Sequence, residues 1–369
     1  MSKIQRIAVK IGSNVLTRAD GSPDFTRMSA LVDQVAALHA AGIGVIMVSS
    51  GAVAAGRGEL SASVSHRLDP VSARQLYSAV GQAKLIDRYV QLFRDHGIVC
   101  GQVLTTKENF ATRHHYLNQQ NCMEVMLREG VVPVVNENDT VSVTELMFTD
   151  NDELSGLIAM MMRCDRLIIL SNIDGIFTGD PSDPANRLID RVQPGDDLSQ
   201  YISAGRSSLG RGGMSSKYGV ARRVAESGIG VIIANGRREG ILTDLVPEIK
   251  APCTYFEPSA EASSGVKRWI ASSGSFAKGL LRLNARASEA IASRPGTSVL
   301  AVGVTAVEGN FTEGDIVEIA DNEGNVFAWG RAGEDSATAA ARVGVAGGRP
   351  LVHTDYLYIN EPTPAGQNS

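Results

Sequence analysis

The chain has 369 residues, of which 43% are hydrophobic and 20% are charged, a balance typical of a globular protein in water. This length exceeds what one small core needs and predicts two domains. The net charge of −5 argues against a protein that binds nucleic acid over its whole surface. No run approaches the roughly 18 consecutive apolar residues of a membrane span, and the N-terminus lacks the apolar core of a signal peptide.

The four cysteines are scattered along the chain and form no CxxC pair. This spacing predicts neither a disulfide framework nor a cysteine metal site. We therefore expect a protein of the reducing cytoplasm. These residues are Cys100, Cys122, Cys164 and Cys253.

Strand and helix patterns alternate over the first two thirds of the chain. The strand predicted at "RIAVKIG" precedes a helix in which Leu31, Val32, Val35 and Leu38 recur at helical spacing. Such alternation predicts an α/β fold with a doubly wound, mostly parallel sheet. Further strands are predicted at "GVIMVSSG", "IVCGQVLTT", "GVVPVVNEN", "RLIILSNIDG" and "GVIIANG", and further helices at "RQLYSAVGQAKLIDRYVQLFRDHG" and after "GGMSSK".

Composition divides the chain into residues 1–258, 259–275 and 276–369. The first range is the α/β domain, and the second, rich in Ser, Ala and Gly, is a predicted linker with a short ordered piece at 267–270. In the third, "GLLRLN", "SVLAVGVTAVEG", "DIVEIADNEG" and "NVFAWGRA" are short strand candidates separated by turn residues. They predict a small β-rich domain, which we expect to end in a disordered tail.

Polar clusters follow several of the predicted strands, and in open parallel sheets ligands bind at the carboxyl ends of strands. In "VKIGSN", Lys10 precedes Gly12, which allows an anion to approach the backbone; an ordinary turn with an exposed lysine is the alternative. In "VSSGAVAAG", Ser50 is either a ligand or a helix cap. In "LGRGGMSSK", Lys217 lies in a helical first turn, where the dipole disfavours a cation. A bound polyanion would offset that cost, and a flexible surface loop is the alternative.

The richest cluster is "NENDTVSVTELMFTDND", which holds more short polar side chains than a helix cap uses. Asp150 and Asp152 flank Asn151 as the oxygen ligands of a cation would, but the spacing of an EF-hand is missing. A small zwitterion accounts better for the mixture. Asp139 can accept hydrogen bonds from an ammonium group, while Asn136 and Asn151 can donate to a carboxylate. We therefore expect this segment to hold an amino acid.

Seven segments occur in the order found in the glutamate 5-kinase family, which the chain resembles over nearly its whole length. The "NEND" and "DND" segments resemble the glutamate-specific branch of the amino-acid kinase fold, and "SVLAVGVTAVEGNFTEGDIVEI" looks like a PUA domain. The resemblance implies that ATP phosphorylates the side-chain carboxylate of L-glutamate to give L-glutamyl 5-phosphate. This is the first step of proline biosynthesis, and proline would inhibit it. The segments are "VKIGSNVLT", "VSSGAVAAGR", "QLYSAVGQAKL", "VPVVNENDTV", "DNDELSGLIA", "NIDGIFTGDP" and "GRGGMSSK".

The resemblance also implies roles for individual residues. Lys10 and Lys217 would contact the phosphates and stabilise the transferring group, and Asp152 would orient both lysines. No metal would be held by the protein itself, because Mg²⁺ would arrive with ATP. L-glutamate would be bound by Ser50, Asn136, Asp139 and Asn151. The ATP site would be lined by Lys10, Ser171, Asn172, Arg211, Gly212, Gly213, Met214, Ser215, Ser216 and Lys217.

The same resemblance implies a cytoplasmic homo-oligomer, either a dimer or a tetramer, functionally coupled to glutamyl-phosphate reductase. Ser171 and Asn172 stand where the family usually has Thr-Asp, and Arg211 stands where threonine is common. The nucleotide preference is therefore left open.

Three other functions are alternatives to this one. The nearest is an amino-acid kinase acting on aspartate, N-acetylglutamate, carbamate or UMP. An RNA-binding regulator is disfavoured because residues 276–369 hold seven Lys and Arg against eleven Asp and Glu. A purely structural role would leave the polar clusters at the strand ends unexplained.

Overall fold

The computed structural model describes residues 4–60, 68–111, 113–141, 150–202, 213–260, 277–294 and 296–359. The chain divides into two compact units, one of residues 1–106 and 120–262 and the other of residues 107–119 and 263–369. Residues 261–276 and 360–369 lie outside the described ranges. The domain boundaries, the linker with its ordered piece and the disordered tail therefore stay predictions.

Eight strands form the sheet of the first unit, as far as the structure describes it. Their order across the sheet is β3-β4-β2-β1-β5-β7-β8-β6, and all neighbours are parallel except β7 and β8. All six predicted strands are present, whereas β6 and β8 are too short for their sequence pattern to predict them. The strands are β1 Arg6–Ile11, β2 Gly44–Ser49, β3 Cys100–Thr105, β4 Val132–Glu137, β5 Arg166–Ser171, β6 Arg191–Val192, β7 Gly230–Asn235 and β8 Cys253–Phe256.

Helices connect these strands, which confirms the predicted α/β class. Helix α4 begins at Pro70, and the Asp69 side chain caps it by accepting from the amides of Val71 and Ser72. None of the helices in the described ranges combines the length and apolar character that crossing a bilayer requires. The helices are α1 Ser13–Leu16, α2 Phe25–Ala40, α3 Ala52–Glu59, α4 Pro70–Arg94, α5 Glu108–Ala111, α6 Arg113–Arg128, α7 Asn151–Met161, α8 Met214–Glu226 and α9 Ile241–Leu245.

The alternating side chains of β1 place hydrophobic core residues on one face of the sheet and the candidate site residue Lys10 on the other. Ile7, Val9 and Ile11 are fully buried in one hydrophobic core with Leu31 and Val35 of α2. Because successive side chains of a strand point to opposite faces, Lys10 lies on the other face of the sheet. Helix α7 packs against β1 there. The strand therefore places a buried lysine beside the start of α7.

Parallel pairing brings the carboxyl ends of β1, β2, β4 and β5 to one edge of the sheet. The chain leaves β1 towards β2 on one side, while β5 continues towards β7 on the other side. Connections that diverge in this way open a crevice at the strand ends, where ligands bind in open α/β sheets. The polar clusters that follow these four strands therefore share one edge.

The second unit contains a five-stranded sheet in the order β10-β9-β11-β12-β13, among the residues described. The predicted β-rich C-terminal region is therefore confirmed. Helices α10 Ala285–Ser293 and α11 Ser336–Ala341 were not predicted. The strands are β9 Gly279–Leu283, β10 Val304–Gly309, β11 Ile316–Ala320, β12 Val326–Arg331 and β13 Leu357–Ile359.

One strand candidate in the second unit is a strand only in its second half. "SVLAVGVTAVEG" is not continuous, because Ala301–Gly303 form a 3-10 turn and β10 begins only at Val304. The amide of Asn284 donates to the Gly303 carbonyl. A Cβ at Gly303 would lie 2.6 Å from the Ala287 side chain. This close tertiary packing ends the extended conformation, and an apolar pattern alone does not reveal it.

Helices α3 and α4 approach each other at two glycines. A Cβ on Gly56 would lie 1.8 Å from the Tyr77 carbonyl oxygen, and one on Gly81 would lie 1.7 Å from the Ala52 carbonyl oxygen. Neither position has room for a side chain. The contact holds the start of α3, directly after Ser50 and Gly51, against α4.

We predict that Gly56→Ala lowers the thermal unfolding midpoint by several degrees. Overpacking of this kind typically costs about 1–3 kcal/mol. Gly58→Ala is the matched control, since Gly58 lies in the same helix with no atom near its Cβ position. It should leave the midpoint unchanged or raise it, because alanine favours helix by up to about 1 kcal/mol. Equal midpoints for the two variants would contradict the described packing.

Candidate active site

Three buried charged side chains meet at the shared strand edge, and we call them the charged triad. The Lys10 Nζ lies 2.5 Å from Asp152 Oδ1, and the Lys217 Nζ donates to Asp152 Oδ2 at 2.9 Å. The Asp152 side chain is 0% exposed, and the lysine side chains are 6% and 10% exposed. One carboxylate thus bridges two ammonium groups, and the triad carries one surplus positive charge.

The charge of Asp152 is set by opposing effects. Burial would raise the pKa of this carboxyl group, but the nearby charges of Lys10 and Lys217 and their hydrogen bonds lower it overall. The carboxylate therefore stays ionised. Removing either kind of partner would leave a buried charge without its counterpart, which is costly in a protein interior.

The triad also explains the lysine in the first turn of α8. A cation there opposes the helix dipole, whereas Asp152 in the first turn of α7 is favoured by it. Asp152 compensates Lys217 within the protein itself. A bound polyanion is therefore not required to account for this lysine, contrary to the argument from the local sequence.

The amino-terminal ends of α7 and α8 are joined by a second contact. Asp150 caps α7 by accepting from the Glu153 amide at 2.9 Å, and Ser216 Oγ donates to its other carboxylate oxygen. Of the interpretations open for this segment, Asp150 fulfils that of a helix cap. Within the ranges described, no three His, Cys, Asp or Glu residues are grouped as metal ligands would be.

The surroundings of the two lysines fit a phosphate chain. Helix α8 begins after Gly213, which supplies no side-chain cap, so its first amides face the site without a competing acceptor from that residue. A Cβ at Gly12 would lie 3.4 Å from Lys10 Nζ and 3.2 Å from the Leu170 carbonyl oxygen. Glycine therefore keeps the backbone open beside the ammonium group.

Other residues predicted to contact the nucleotide lie at the end of β5 and at the start of α8, and two more fall outside the residues that the structure describes. Ser171 ends β5, and its hydroxyl donates to Asn172 Oδ1 at 3.4 Å. Met214 and Ser215 belong to the first turn of α8. Arg211 and Gly212 fall outside the described residues.

A second group, which we call the amide cluster, consists of Ser50, Asn136 and Asn151. The Asn151 Nδ2 donates to Ser50 Oγ at 2.9 Å and to Asn136 Oδ1 at 3.2 Å. Three of the four predicted glutamate-binding residues are thus in contact. Asn151 is the chain neighbour of Asp152, so one turn of α7 contributes to both the amide cluster and the charged triad.

The fourth predicted residue, Asp139, has partners that sequence reasoning missed. The Arg74 Nε donates to Asp139 Oδ1 at 2.8 Å, and Ser78 Oγ donates to Oδ2 at 3.2 Å. Arg74 also donates to Glu137 Oε2 at 3.2 Å. The sequence feature that could have revealed these partners is a series of polar residues at every fourth position of α4, namely Arg74, Ser78 and Gln82. Such spacing marks a polar stripe but does not name its partner.

Together these groups suit the transfer of an anionic group between two anionic partners. Buried ammonium groups and backbone amides stabilise developing negative charge well, because water does not compete with them. The amide cluster offers neutral donors and acceptors at the neighbouring strand ends. The arrangement places an anion-binding subsite beside a polar subsite.

Comparisons with known proteins point to the same chemistry. The amino acid kinase family matches residues 5–235, and the PUA domain matches residues 279–344. A glutamate 5-kinase of Bacteroides thetaiotaomicron is 59% identical over 355 residues, covering 96% of this chain and 98% of that protein. A glutamate 5-kinase of Chlorobaculum tepidum is 44% identical over 357 residues, covering 96% and 97%.

A solved structure supports the fold. Carbamate kinase from Giardia lamblia bound to AMP-PNP superimposes with a TM-score of 0.53 and 15% sequence identity, covering 70% of this chain and 100% of that chain. At this level of identity the likeness shows the fold alone. It agrees with the parallel sheet described above.

We predict a characteristic pH dependence for the variant Asp152→Asn. The folded-state pKa of Asp152 lies below its ordinary value of 3.8, so its stabilisation is present above that pH and is lost as pH falls through the lower folded-state value. At pH 6 the variant should unfold about 3–5 kcal/mol more easily than the parent chain, as expected for a broken buried ion pair. Urea titrations followed by circular dichroism measure this gap.

The difference in the free energy of unfolding between the parent chain and Asp152→Asn should stay constant between pH 6 and pH 5. It should narrow only below about pH 4. The exposed Asp190 is the control site, and at pH 6 Asp190→Asn should leave the free energy of unfolding almost unchanged. A gap that closes already between pH 6 and pH 5 would mean that the pKa of Asp152 is raised.

Proposed function

The chain belongs to the amino acid kinase family and, within it, to the glutamate 5-kinases, as the sequence resemblance predicted, and we propose that it phosphorylates the side-chain carboxylate of L-glutamate with ATP. The product is L-glutamyl 5-phosphate, the first intermediate of proline biosynthesis. The observation that carries the proposal is the buried charged triad directly beside the amide cluster, with Asp152 in one and Asn151 in the other.

In this proposal the charged triad binds the phosphates of ATP. Lys10 and Lys217 contact the transferring group, and the first amides of α8 after Gly213 bind the chain of phosphates. Asp152 contacts both lysines and orients their ammonium groups. Ser171 and Asn172, at the end of β5, line the nucleotide site, as do Met214 and Ser215.

Magnesium fits this site as a companion of the nucleotide. Asp152 has both carboxylate oxygens on lysines, and Asp150 is occupied by Ser216 and the Glu153 amide. These carboxylates are therefore not offered to a cation. Mg²⁺ bound to the phosphates would supply further neutralisation of negative charge during transfer.

The acceptor requires no general base. A glutamate side chain is ionised near pH 7, because its ordinary pKa is about 4.3. The difficulty is the repulsion between this anion and the γ-phosphoryl group. The surplus positive charge of the triad offsets that repulsion, while Ser50, Asn136 and Asn151 hold the acceptor beside it.

Membership in the glutamate 5-kinases supports four further proposals. These are feedback inhibition by proline, assembly into a dimer or tetramer, functional coupling to glutamyl-phosphate reductase, and a cytoplasmic location. Proline shares with glutamate a cationic nitrogen and a carboxylate on one carbon, so the same residues could bind it. RNA binding by residues 276–369 is disfavoured by their acidic charge balance.

The reaction is tested by incubating the protein with ATP, Mg²⁺ and one acid at a time, trapping acyl phosphates with hydroxylamine. L-glutamate should give hydroxamate, and L-aspartate, N-acetylglutamate and carbamate should give little. Formation of hydroxamate from another acid but not from glutamate would overturn the proposed substrate.

We predict that Lys10→Ala and Lys217→Ala each lower kcat by roughly 10²–10³, the usual cost of one transition-state donor. The KM for glutamate should change less, since the amide cluster is retained. The control is Lys250→Ala, because the Lys250 side chain is 69% exposed. A near-normal kcat in either of the first two variants would remove that lysine from the catalytic set.

A further inference from the structure

One face of α4 contacts the end of β4 and the segment that follows it. Arg74, Ser78 and Gln82 recur at intervals of four residues and therefore lie on one side of the helix. Arg74 and Ser78 donate hydrogen bonds to the Asp139 carboxylate, and Gln82 donates to the Glu137 carbonyl oxygen at 3.1 Å. Gln75 donates to the Thr140 carbonyl oxygen at 3.0 Å. The proposed reaction assigns no role to this face.

Arg74 changes the character of the predicted ammonium site. Both oxygens of Asp139 already accept hydrogen bonds, one from Arg74 and one from Ser78. An incoming ammonium group therefore meets a carboxylate beside a guanidinium group rather than a lone carboxylate. The site holds one guanidinium group between two carboxylates, those of Asp139 and Glu137, so it presents a positive charge as well as negative ones.

The guanidinium group of Arg74 also has a hydrogen-bond donor left for a further partner. Its Nε and Nη2 atoms are bonded to Asp139 and Glu137, whereas Nη1 has no hydrogen-bond partner among the residues described. The Arg74 side chain is 21% exposed, while those of Glu137 and Asp139 are 4% and 8% exposed. Arg74 is thus the most accessible member of this group. The remaining Nη1 can donate a charge-assisted hydrogen bond to one further carboxylate oxygen.

We propose that Arg74 binds the α-carboxylate of the amino-acid substrate while Asp139 binds its ammonium group. The proposal rests on the function proposed above. An α-amino acid carries both charges on one carbon, and the Arg74–Asp139 pair presents the two opposite charges at similarly short range. Recognition of both charges selects a free amino acid over an acid that lacks either of them.

This assignment divides the substrate between two groups of residues. Arg74 and Asp139 hold the end that does not react. The amide cluster is left for the side-chain carboxylate, next to the charged triad through the neighbours Asn151 and Asp152. Each end of the substrate then meets residues of matching charge and reactivity.

The test compares L-glutamate with its α-amide, which keeps the ammonium group and the side-chain carboxylate but lacks the α-carboxylate charge. In the parent protein, kcat/KM should be on the order of 10- to 100-fold higher for glutamate, the usual value of one charge-assisted hydrogen bond. Arg74→Gln should bring this ratio close to one. Arg74→Lys keeps the charge and should retain a large part of the ratio.

The matched control is Arg94→Gln, at the far end of the same helix, where the side chain is exposed. It should leave both rates and their ratio unchanged. A ratio near one in the parent protein, or the parental ratio preserved in Arg74→Gln, would overturn the proposal. Equal losses for the two substrates would show that Arg74 only positions Asp139.

Folding and reaction failures are distinguishable from these outcomes. The ratio compares two substrates in one protein sample, so partial loss of folded protein cancels. If the parent protein forms no hydroxamate from glutamate, the proposed function and the role of Arg74 fall together. A glutamate kinase whose ratio does not respond to Arg74→Gln overturns only the role of Arg74.

Discussion

The candidate active site at the carboxyl ends of the strands depends on one buried carboxylate that contacts two lysines. Asp152 joins β1, α7 and α8, three elements that are distant in the chain, through Lys10 and Lys217. Buried charges are tolerated when opposite charges and hydrogen bonds satisfy them. The same contacts that make burial tolerable also fix the direction of both ammonium groups. Structural stability and the placement of positive charge thus have one physical cause.

The first turn of α7 also connects the two lysines to the residues that we propose to bind the phosphoryl acceptor. Asn151 contacts Ser50 and Asn136, while its neighbour Asp152 contacts the lysines. Movement of α7 would therefore shift both groups together. Phosphoryl transfer gains most from holding two reactants at a fixed separation, and a shared rigid turn provides that. The proposed pairing of Arg74 with Asp139 places the remaining substrate contact on α4, outside this turn.

Sequence patterns predicted the strands, because pleat alternation is local, and the shared edge followed from the rule that ligands bind at the carboxyl ends of strands in open parallel sheets. The grouping of Lys10, Asp152 and Lys217 followed from the family resemblance, since no periodicity reports a contact between distant segments. Two features could not be predicted for the same reason. Arg74 meets Asp139 across a separation of 65 residues. Likewise, Lys217 meets Asp152 across a separation of 65 residues, so the local sequence around Lys217 does not show its compensating partner.

The most direct test of this account is the kcat of Asp152→Asn for glutamate phosphorylation, measured at saturating substrates on protein whose fold is verified by circular dichroism. Asparagine keeps the size of the side chain but removes the charge that holds both lysines. We expect kcat to fall by roughly 10²–10³, similar to the loss of one transition-state donor. A folded variant with near-parental kcat would show that the lysines do not need this carboxylate, and would contradict the central role assigned to it.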